Sequence, residues 1–146
     1  MTLTVRPLTT ADEAQWRVLW TGYLDYYETT VPEEVYQSSF ARMLSGEDTE
    51  FHGIVAELDG KLVGLVHYLF HRHGWKIENV CYLQDLYTAP SVRGQSIGRA
   101  LIEAVYKAAD SAGAPTVYWL TQDFNDAGRR LYDRVGQLTP FIKYSR

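Results

Sequence analysis

The spacing of apolar residues predicts two helices in the first third of the chain. Thr10 and Glu13 stand three positions apart and predict a capping box where the first helix begins. The apolar positions that follow recur at intervals of three and four, as on one helix face. They are Trp16, Leu19, Trp20, Tyr23, Leu24 and Tyr27. Pro32 suits the first turn of a second helix, which Gly46 ends.

The middle of the chain is typical of β-structure. Phe51 to Leu58 and Lys61 to Phe70 are apolar runs of strand length, and Asp59-Gly60 between them favours a two-residue hairpin turn. Leu3 to Leu8 and Val80 to Thr88 are further predicted strands. The two strands of the hairpin should therefore pair antiparallel.

The last third alternates between helix and strand patterns. Ile97 to Ala112 and Asn125 to Val135 are predicted helices, and Thr116 to Thr121 and Pro140 to Tyr144 are predicted strands. The order of elements becomes β-α-α-β-β-β-α-β-α-β. That order predicts an α/β fold in which a mixed, mostly antiparallel sheet is flanked by helices on both faces.

Composition narrows the class of protein. A chain of 146 residues fits one domain, spanning 1–146. Its net charge of -4 argues against nucleic acid as a partner, which requires a basic surface, and suits a cationic partner such as an amine. The first residues contain no apolar run typical of a signal peptide, and no later stretch is long enough to span a membrane. We expect a cytoplasmic protein without a membrane partner.

The single cysteine and the many tyrosines also bear on function. Cys81 excludes an internal disulfide and a multi-cysteine metal site, and its apolar neighbours predict a buried strand residue rather than a catalytic thiol. The 11 tyrosines suit either a core or the lining of a ligand groove.

The candidate chemistry lies in the turn from Arg93 to Gly98, between a predicted strand and a predicted helix. Backbone N–H groups at a helix start lack intrahelical partners and bind phosphate readily. Gly94 and Gly98 allow close backbone approach, and Arg93 and Arg99 add positive charge. A βα loop that needs glycine for turning explains the same composition. A Walker A loop and a dinucleotide fingerprint are both absent, which disfavours ATP and NAD.

The pattern Arg93-x-x-Ser96-x-Gly98 resembles the Arg/Gln-x-x-Gly-x-Gly/Ala signature of the GNAT acetyltransferases. The preceding strand, Leu83-Gln84-Asp85-Leu86-Tyr87, strengthens the resemblance. So does Asn125-x-x-Gly128-x-x-Leu131-Tyr132, which is similar to the Asn-x-x-Ala-x-x-Leu-Tyr helix of that family. The resemblance covers nearly the whole chain and is strongest to the small yeast-type histone, polyamine and D-amino-acid acetyltransferases. It implies the GNAT, or acyl-CoA N-acyltransferase, fold.

The resemblance also implies acetyl-CoA as co-substrate, and it implies no metal. The implied cofactor-binding residues are Leu86, Tyr87, Thr88, Arg93, Gly94, Gln95, Ser96, Ile97, Gly98, Arg99, Asn125 and Tyr132. The amine would attack directly, without a covalent enzyme intermediate, while backbone N–H groups near Leu86 stabilise the oxyanion. Tyr132 would be the general acid, because a phenol with a pKa of about 10 stays protonated at neutral pH.

Two positions depart from the family pattern. Ser96 replaces the usual glycine, and a left-handed backbone there would cost about 1–2 kcal/mol. Gln84 stands where some polyamine-acetylating relatives have a glutamate, and an amide is not a base.

The missing base matters energetically, because an alkyl amine with a pKa of about 10.4 costs roughly 4–5 kcal/mol to deprotonate at pH 7. The candidates are Asp85 acting through water, His67, and an acidic corner formed by Asp25 and Glu28. Asp85 is our predicted second catalytic residue.

The acceptor is expected to be a small-molecule primary amine, such as an amino acid or a polyamine. Its predicted contacts are Asp25, Tyr27, Glu28 and Gln84. Two alternatives remain, a non-catalytic CoA-binding regulatory module and an acetyltransferase for protein lysines or N-termini. Pro140 to Tyr144 would leave an uncovered apolar strand edge, which predicts a homodimer.

Overall fold

In the computed structural model, which describes residues 2–146, one mixed sheet organises the chain. Its strands are β1 (Leu3–Pro7), β2 (His52–Leu58), β3 (Lys61–His71), β4 (Val80–Thr88) and β5 (Val117–Tyr118). They lie in the order β1-β2-β3-β4-β5, with β1 to β4 antiparallel and β5 parallel to β4. The predicted mixed, mostly antiparallel sheet is confirmed.

Helices cover both faces of this sheet, as predicted. They are α1 (Glu13–Tyr26), α2 (Glu33–Leu44), α3 (Ile97–Ser111) and α4 (Asp126–Val135). One core cluster joins Trp16 of α1 and Phe40 of α2 to Leu65 of the sheet. The other joins Leu101 of α3 to Val66, which points to the opposite face. The alternation of Leu65 and Val66 along β3 reflects the two-residue period of a strand.

The hairpin between β2 and β3 has the turn that its sequence predicts. Asp59 has φ 50° and Gly60 has φ 82°, so both central residues adopt the positive φ of a type I′ turn. Leu58 is paired with Lys61 across this turn. A local sequence signal was sufficient here because the turn depends on two residues.

The start of α1 differs from the prediction. The capping box joins Thr9 and Asp12 rather than Thr10 and Glu13, and a 3-10 turn at Thr10–Asp12 precedes the α-helix. The Thr9 backbone N–H donates to Asp12 Oδ2 at 2.8 Å. Arg6 donates to the same carboxylate at 2.8 and 2.9 Å. This ion pair with β1 selects Asp12 over Glu13 as the capping residue.

The end of the chain also differs. The predicted strand from Thr116 to Thr121 shortens to β5, and Pro140 to Tyr144 forms no strand within the described residues. A strand requires a partner backbone, and segment 140–144 pairs with none of the five described strands. Phe141 and Ile142 are each 77% exposed.

Strand β4 contains an irregularity that shapes the site. His67 is paired with Asp85 and the next residue, Tyr68, is paired with Leu83, so Gln84 is the extra residue of a β-bulge.

Cys81 on the same strand is buried, as predicted, and burial raises the pKa of its thiol to about 12. No helix in the described part of the chain has the length and apolarity needed to cross a membrane.

Candidate active site

An open groove of about 510 Å³ runs between β4, α1, α3 and α4. It exists because β5 pairs with β4 at Cys81 and Tyr82 and separates from it beyond that point. The edge of β4 from Leu86 to Thr88 therefore lines the groove instead of pairing with another strand. Its volume is in the range of small-molecule binding sites.

The start of α3 provides free backbone donors at this groove. The first intrahelical bond is donated by Ala100 N to Ser96 O at 3.1 Å. The N–H groups of Ile97, Gly98 and Arg99 consequently have no intrahelical partner, and the helix dipole adds partial positive charge there. Ser96 has φ 64° and ψ 20°, which is the left-handed conformation considered for this position. The backbone at Ser96 therefore carries the cost of about 1–2 kcal/mol that a left-handed conformation imposes on a residue other than glycine.

Arg93 is held in place at the edge of the groove. Its Nε donates to the carbonyl oxygen of Thr88 at 3.1 Å. Its guanidinium lies 5.6 Å from the centre of the Tyr87 ring, at cation–π distance. The two contacts fix Arg93 beside the β4 edge.

Helix α4 contributes two cations that the sequence analysis did not predict. Arg130 and Arg134 line the groove together with Arg93 and Arg99. They stand four positions apart, on one helix face, and that spacing beside the Asn125 motif was the available signal. Four arginines give the groove a positive potential in a chain whose net charge is -4, which matches a ligand with several phosphates.

Asn125 acts as the cap of α4 and also lines the groove. Its Oδ1 accepts from the Gly128 N–H at 3.1 Å, and its Nδ2 donates to Thr121 Oγ1 at 3.0 Å. Helices α3 and α4 approach closely at Gly98, where an added Cβ atom would lie only 3.3 Å from Leu131 Cδ2. Glycine at 98 thus allows the contact of the two helices.

A smaller cavity adjoins the groove at the β4 bulge. It is lined by Tyr23, Tyr27, Leu83, Gln84, Leu86, Ile102, Trp119, Leu120 and Tyr132. Tyr132 lines both cavities and packs edge-on against Trp119 at 5.6 Å. Burial raises the pKa of Tyr132, as do its neighbours Tyr27 and Tyr26. Its phenol is therefore protonated at neutral pH.

A buried acid, Asp85, lines neither cavity itself but lies on β4 between Gln84 and Leu86, which line the smaller one. Asp85 Oδ2 is 2.8 Å from His67 Nδ1, and the other ring nitrogen of His67 is 2.9 Å from Trp16 Nε1. Tyr23 lies beside Asp85, and burial followed by the negative charge of Asp85 raises the pKa of Tyr23. Because both nitrogens of His67 are occupied, His67 is poorly placed to take a proton from an acceptor.

The structure brings some predicted acceptor residues together and leaves others apart. Tyr27 and Gln84 line the smaller cavity. Asp25 and Glu28 are exposed and line neither cavity of the described chain, and Gln95 is likewise outside both. Tyr23 and Trp119 also line the smaller cavity, and the sequence did not predict them as site residues, because a position in an apolar stripe or strand suits the core equally well. Within residues 2–146, no three metal-ligating side chains come together.

Comparison with known proteins agrees with this geometry. The model of the Acetyltransferase (GNAT) family matches residues 16–137. The chain is 34% identical over 145 residues to the D-amino-acid N-acetyltransferase HPA3 of Saccharomyces cerevisiae, covering 99% of this chain and 90% of that protein. It is 33% identical over 99 residues to a thialysine N-epsilon-acetyltransferase of Bos taurus, covering 62% of this chain and 58% of the relative.

Solved structures show the same fold. The aminoglycoside N-acetyltransferase AAC(6')-Iy, in complex with a CoA-containing bisubstrate analog, superposes with a TM-score of 0.87 over 100% of this chain and 98% of its own, at 17% identity. A putative acetyltransferase from Agrobacterium tumefaciens gives a TM-score of 0.82 at 19% identity, over 98% of both chains. These similarities establish the fold.

Proposed function

The chain belongs to the acetyltransferase (GNAT) family and is an acetyl-CoA-dependent N-acetyltransferase, and from that premise we propose which residues bind, which move protons and which amines are accepted. Acetyl-CoA supplies the acetyl group, which passes to a primary amine. A non-catalytic CoA-binding module is not favoured, because the named relatives are acetyltransferases.

The groove fits acetyl-CoA through the chain's own donors. The free edge of β4 at Leu86 to Thr88 can pair with an extended, amide-containing arm. The N–H groups of Ile97, Gly98 and Arg99 suit a pyrophosphate at the start of α3. The arginines of the groove supply the balancing charge. We assign these residues to binding rather than to chemistry.

Tyr132 is the proposed general acid. It lies where the groove meets the smaller cavity, and its raised pKa keeps a proton on Oη at neutral pH. A donor in this protonation state can supply the proton that a departing thiolate requires.

Asp85 is the proposed proton acceptor, acting through a water. Gln84 lines the cavity but is an amide, and both nitrogens of His67 are occupied. Asp85 is 9% exposed, and Tyr23, whose pKa is raised by burial and by the charge of Asp85, lines the cavity. A buried carboxylate beside the cavity attracts an ammonium group and can accept its proton.

The acceptor is proposed to be a small amine with one ammonium group near Asp85, such as a free amino acid. The cavity at Gln84 is narrow and aromatic, and the exposed Asp25 and Glu28 stand outside it. A polyamine would need a second buried anion there. The amino-acid substrate in the name of the yeast relative supports this class.

A thiol-release assay with acetyl-CoA and a panel of acceptors tests this proposal. The panel contains D- and L-amino acids, thialysine, spermidine and a lysine peptide. We expect turnover on free amino acids and much less on spermidine or the peptide. Preference for the peptide would identify a protein acetyltransferase. Tight acetyl-CoA binding without turnover on any amine would overturn the enzymatic assignment.

We also propose that residues 1–146 form one acetyltransferase domain that pairs as a homodimer in the cytoplasm. The segment 137–146 supports pairing, because Leu138, Phe141, Ile142 and Tyr144 are largely exposed. A single free thiol suits a reducing compartment. Light scattering should give a dimer at micromolar concentration, and F141D/I142D should give a monomer. A monomeric parent chain would contradict the dimer.

A further inference from the structure

Three buried side chains from three different elements form a hydrogen-bonded row. The indole nitrogen Nε1 of Trp16 on α1 lies 2.9 Å from Nε2 of His67 on β3. The other ring nitrogen, Nδ1, lies 2.8 Å from Oδ2 of Asp85 on β4. Trp16 is 0% exposed, His67 6% and Asp85 9%. Buried polar groups are usually hydrogen-bonded, and each of these three side chains has a partner in the row.

The chemistry of the first member sets the direction of the whole row. An indole N–H can donate a hydrogen bond and has no lone pair to accept one. Nε2 of His67 must therefore accept, which means that it carries no proton. The proton of the neutral imidazole is then on Nδ1, which donates to Asp85. The heavy-atom positions thus select one tautomer of His67.

The same row opposes a second proton on His67. An imidazolium carries a proton on both nitrogens, so its Nε2–H would face the Trp16 N–H across 2.9 Å. Two donors at that separation repel, and the indole would lose its partner in a dry environment. His67 is consequently held neutral although a carboxylate adjoins it, whereas such a neighbour ordinarily promotes the charged form.

The other titratable groups around the pair are phenols in the described structure. Tyr23 and Tyr27 approach Asp85 from α1, and Tyr82 approaches it along β4. Tyr36 of α2 reaches the row through its ring contacts with the indoles of α1. Phenols are neutral at physiological pH. Among these groups, only His67 could therefore place a positive charge beside Asp85 near neutral pH.

We propose that Trp16 and His67 are positioning residues that keep Asp85 a carboxylate without a cationic partner, and thereby preserve its strength as proton acceptor. The proposal rests on the function of Asp85 proposed above. A carboxylate paired with an imidazolium is a weaker base, because the adjacent positive charge favours the ionised form. With the histidine held neutral, acceptor deprotonation continues at pH values where an ordinary histidine, with a pKa of about 6.5, would be charged.

Trp16→Phe is the direct test, because it keeps an aromatic ring and removes the N–H donor. Trp20→Phe is a matched control. Trp20 stacks on Trp16 at 5.2 Å and is also buried, yet its Nε1 has no hydrogen-bond partner anywhere in residues 2–146. We expect kcat of W16F near pH 6 to be about tenfold below that of W20F, with convergence above about pH 8. KM for acetyl-CoA should be equal in both. Identical pH profiles for the two variants would overturn the proposal.

Nitrogen-15 NMR of histidine-labelled parent protein provides a test that needs neither variant nor activity. The chain has 4 histidines, and the His67 signals are those absent from His67→Gln. We expect Nδ1 protonated and Nε2 unprotonated at both pH 6 and pH 8. A proton on Nε2 at either pH would overturn the inference. A separate Asp85→Asn variant that retains full kcat would instead overturn the proposed function, whatever the NMR shows.

Discussion

The hydroxyl of Tyr87 on β4 packs against the backbone of Gly22 on α1. A Cβ placed at Gly22 would lie 2.6 Å from the Tyr87 hydroxyl oxygen and 3.0 Å from Cζ. The same tyrosine ring lies under the guanidinium of Arg93. Glycine at 22 therefore allows α1 to approach β4 closely enough for Tyr87 to support a groove cation.

Gly22→Ala should displace this ring and weaken acetyl-CoA binding. Loss of an exposed cation–π contact corresponds to about 0.5–1 kcal/mol, so KM for acetyl-CoA should rise about two- to fivefold. Steady-state kinetics measure this. If Gly22 did not contact Tyr87, Gly22→Ala would instead stabilise the α1 helix by up to about 1 kcal/mol and leave KM unchanged.

A double-mutant cycle with Tyr87→Phe separates the two effects. Removing the hydroxyl relieves the closest contact, so G22A should raise KM less in the Y87F background than in the parent. Additive effects of the two changes would show that Gly22 and Tyr87 act independently.

Ser96→Gly should stabilise the protein. Ser96 has a positive φ of 64°, and relief of about 1–2 kcal/mol is partly offset by the greater freedom of glycine in the unfolded chain. We expect a net gain of about 0.5–1 kcal/mol in the free energy of unfolding, measured by urea titration, with KM for acetyl-CoA no higher than in the parent. Ser91→Gly, in the 3-10 turn at Pro90–Val92, is the control and should lower stability. A gain of equal size at position 91 would contradict a specific effect of φ.

Features set by neighbouring residues were predictable, whereas those set by distant contacts were not. The Asp59-Gly60 turn and the helix opening at Ile97 depend on local backbone preferences. The Gln84 bulge depends on how β4 pairs with β3, and sequence spacing carries no information about it. The contact of His67 with Trp16 spans 51 positions. His67 and Asp85 were therefore predictable as separate candidates for the base, whereas the hydrogen bond between them was not.

The predicted last strand shows the same limit. Pro140 to Tyr144 has strand composition, yet a strand forms only where a second backbone is available. Strand β5, at the edge of the sheet, has only the two residues Val117–Tyr118, and segment 140–144 pairs with no strand of the described chain. Strand composition alone could not show that this partner was missing.

Stability should depend on pH through Asp12. The hydrogen bonds from Arg6 lower the pKa of Asp12 from 3.8 to about 2 in the folded protein. A depressed folded pKa contributes stability above the unfolded value, here about 2 kcal/mol, which is lost as pH falls through the folded pKa. Asp12→Asn should therefore lower the free energy of unfolding at pH 7, and its difference from the parent should shrink between about pH 4 and 2.

Urea titrations of both proteins at several pH values measure this change. Glu33→Gln is the control, because the Arg17–Glu33 pair has equally short contacts but is solvent-exposed. Exposed pairs contribute little to stability, so its unfolding midpoint should match the parent at each pH. If the difference in the free energy of unfolding between Asp12→Asn and the parent did not change with pH, the charge of Asp12 would not contribute to stability.

Tyr132→Phe should lower kcat about 10²- to 10⁴-fold, the usual contribution of a general acid, while KM for acetyl-CoA changes less than about twofold. Tyr106→Phe is the control, because its hydroxyl donates to the Val135 carbonyl at 2.6 Å outside both cavities. That variant should lose about 1 kcal/mol of stability and keep kcat. Because the pKa of Tyr132 is raised above its ordinary 10.0, the phenol should not limit kcat below about pH 10. Full activity of Tyr132→Phe would show that the leaving thiolate does not take its proton from this phenol, and Tyr132 would then be a packing residue between the two cavities.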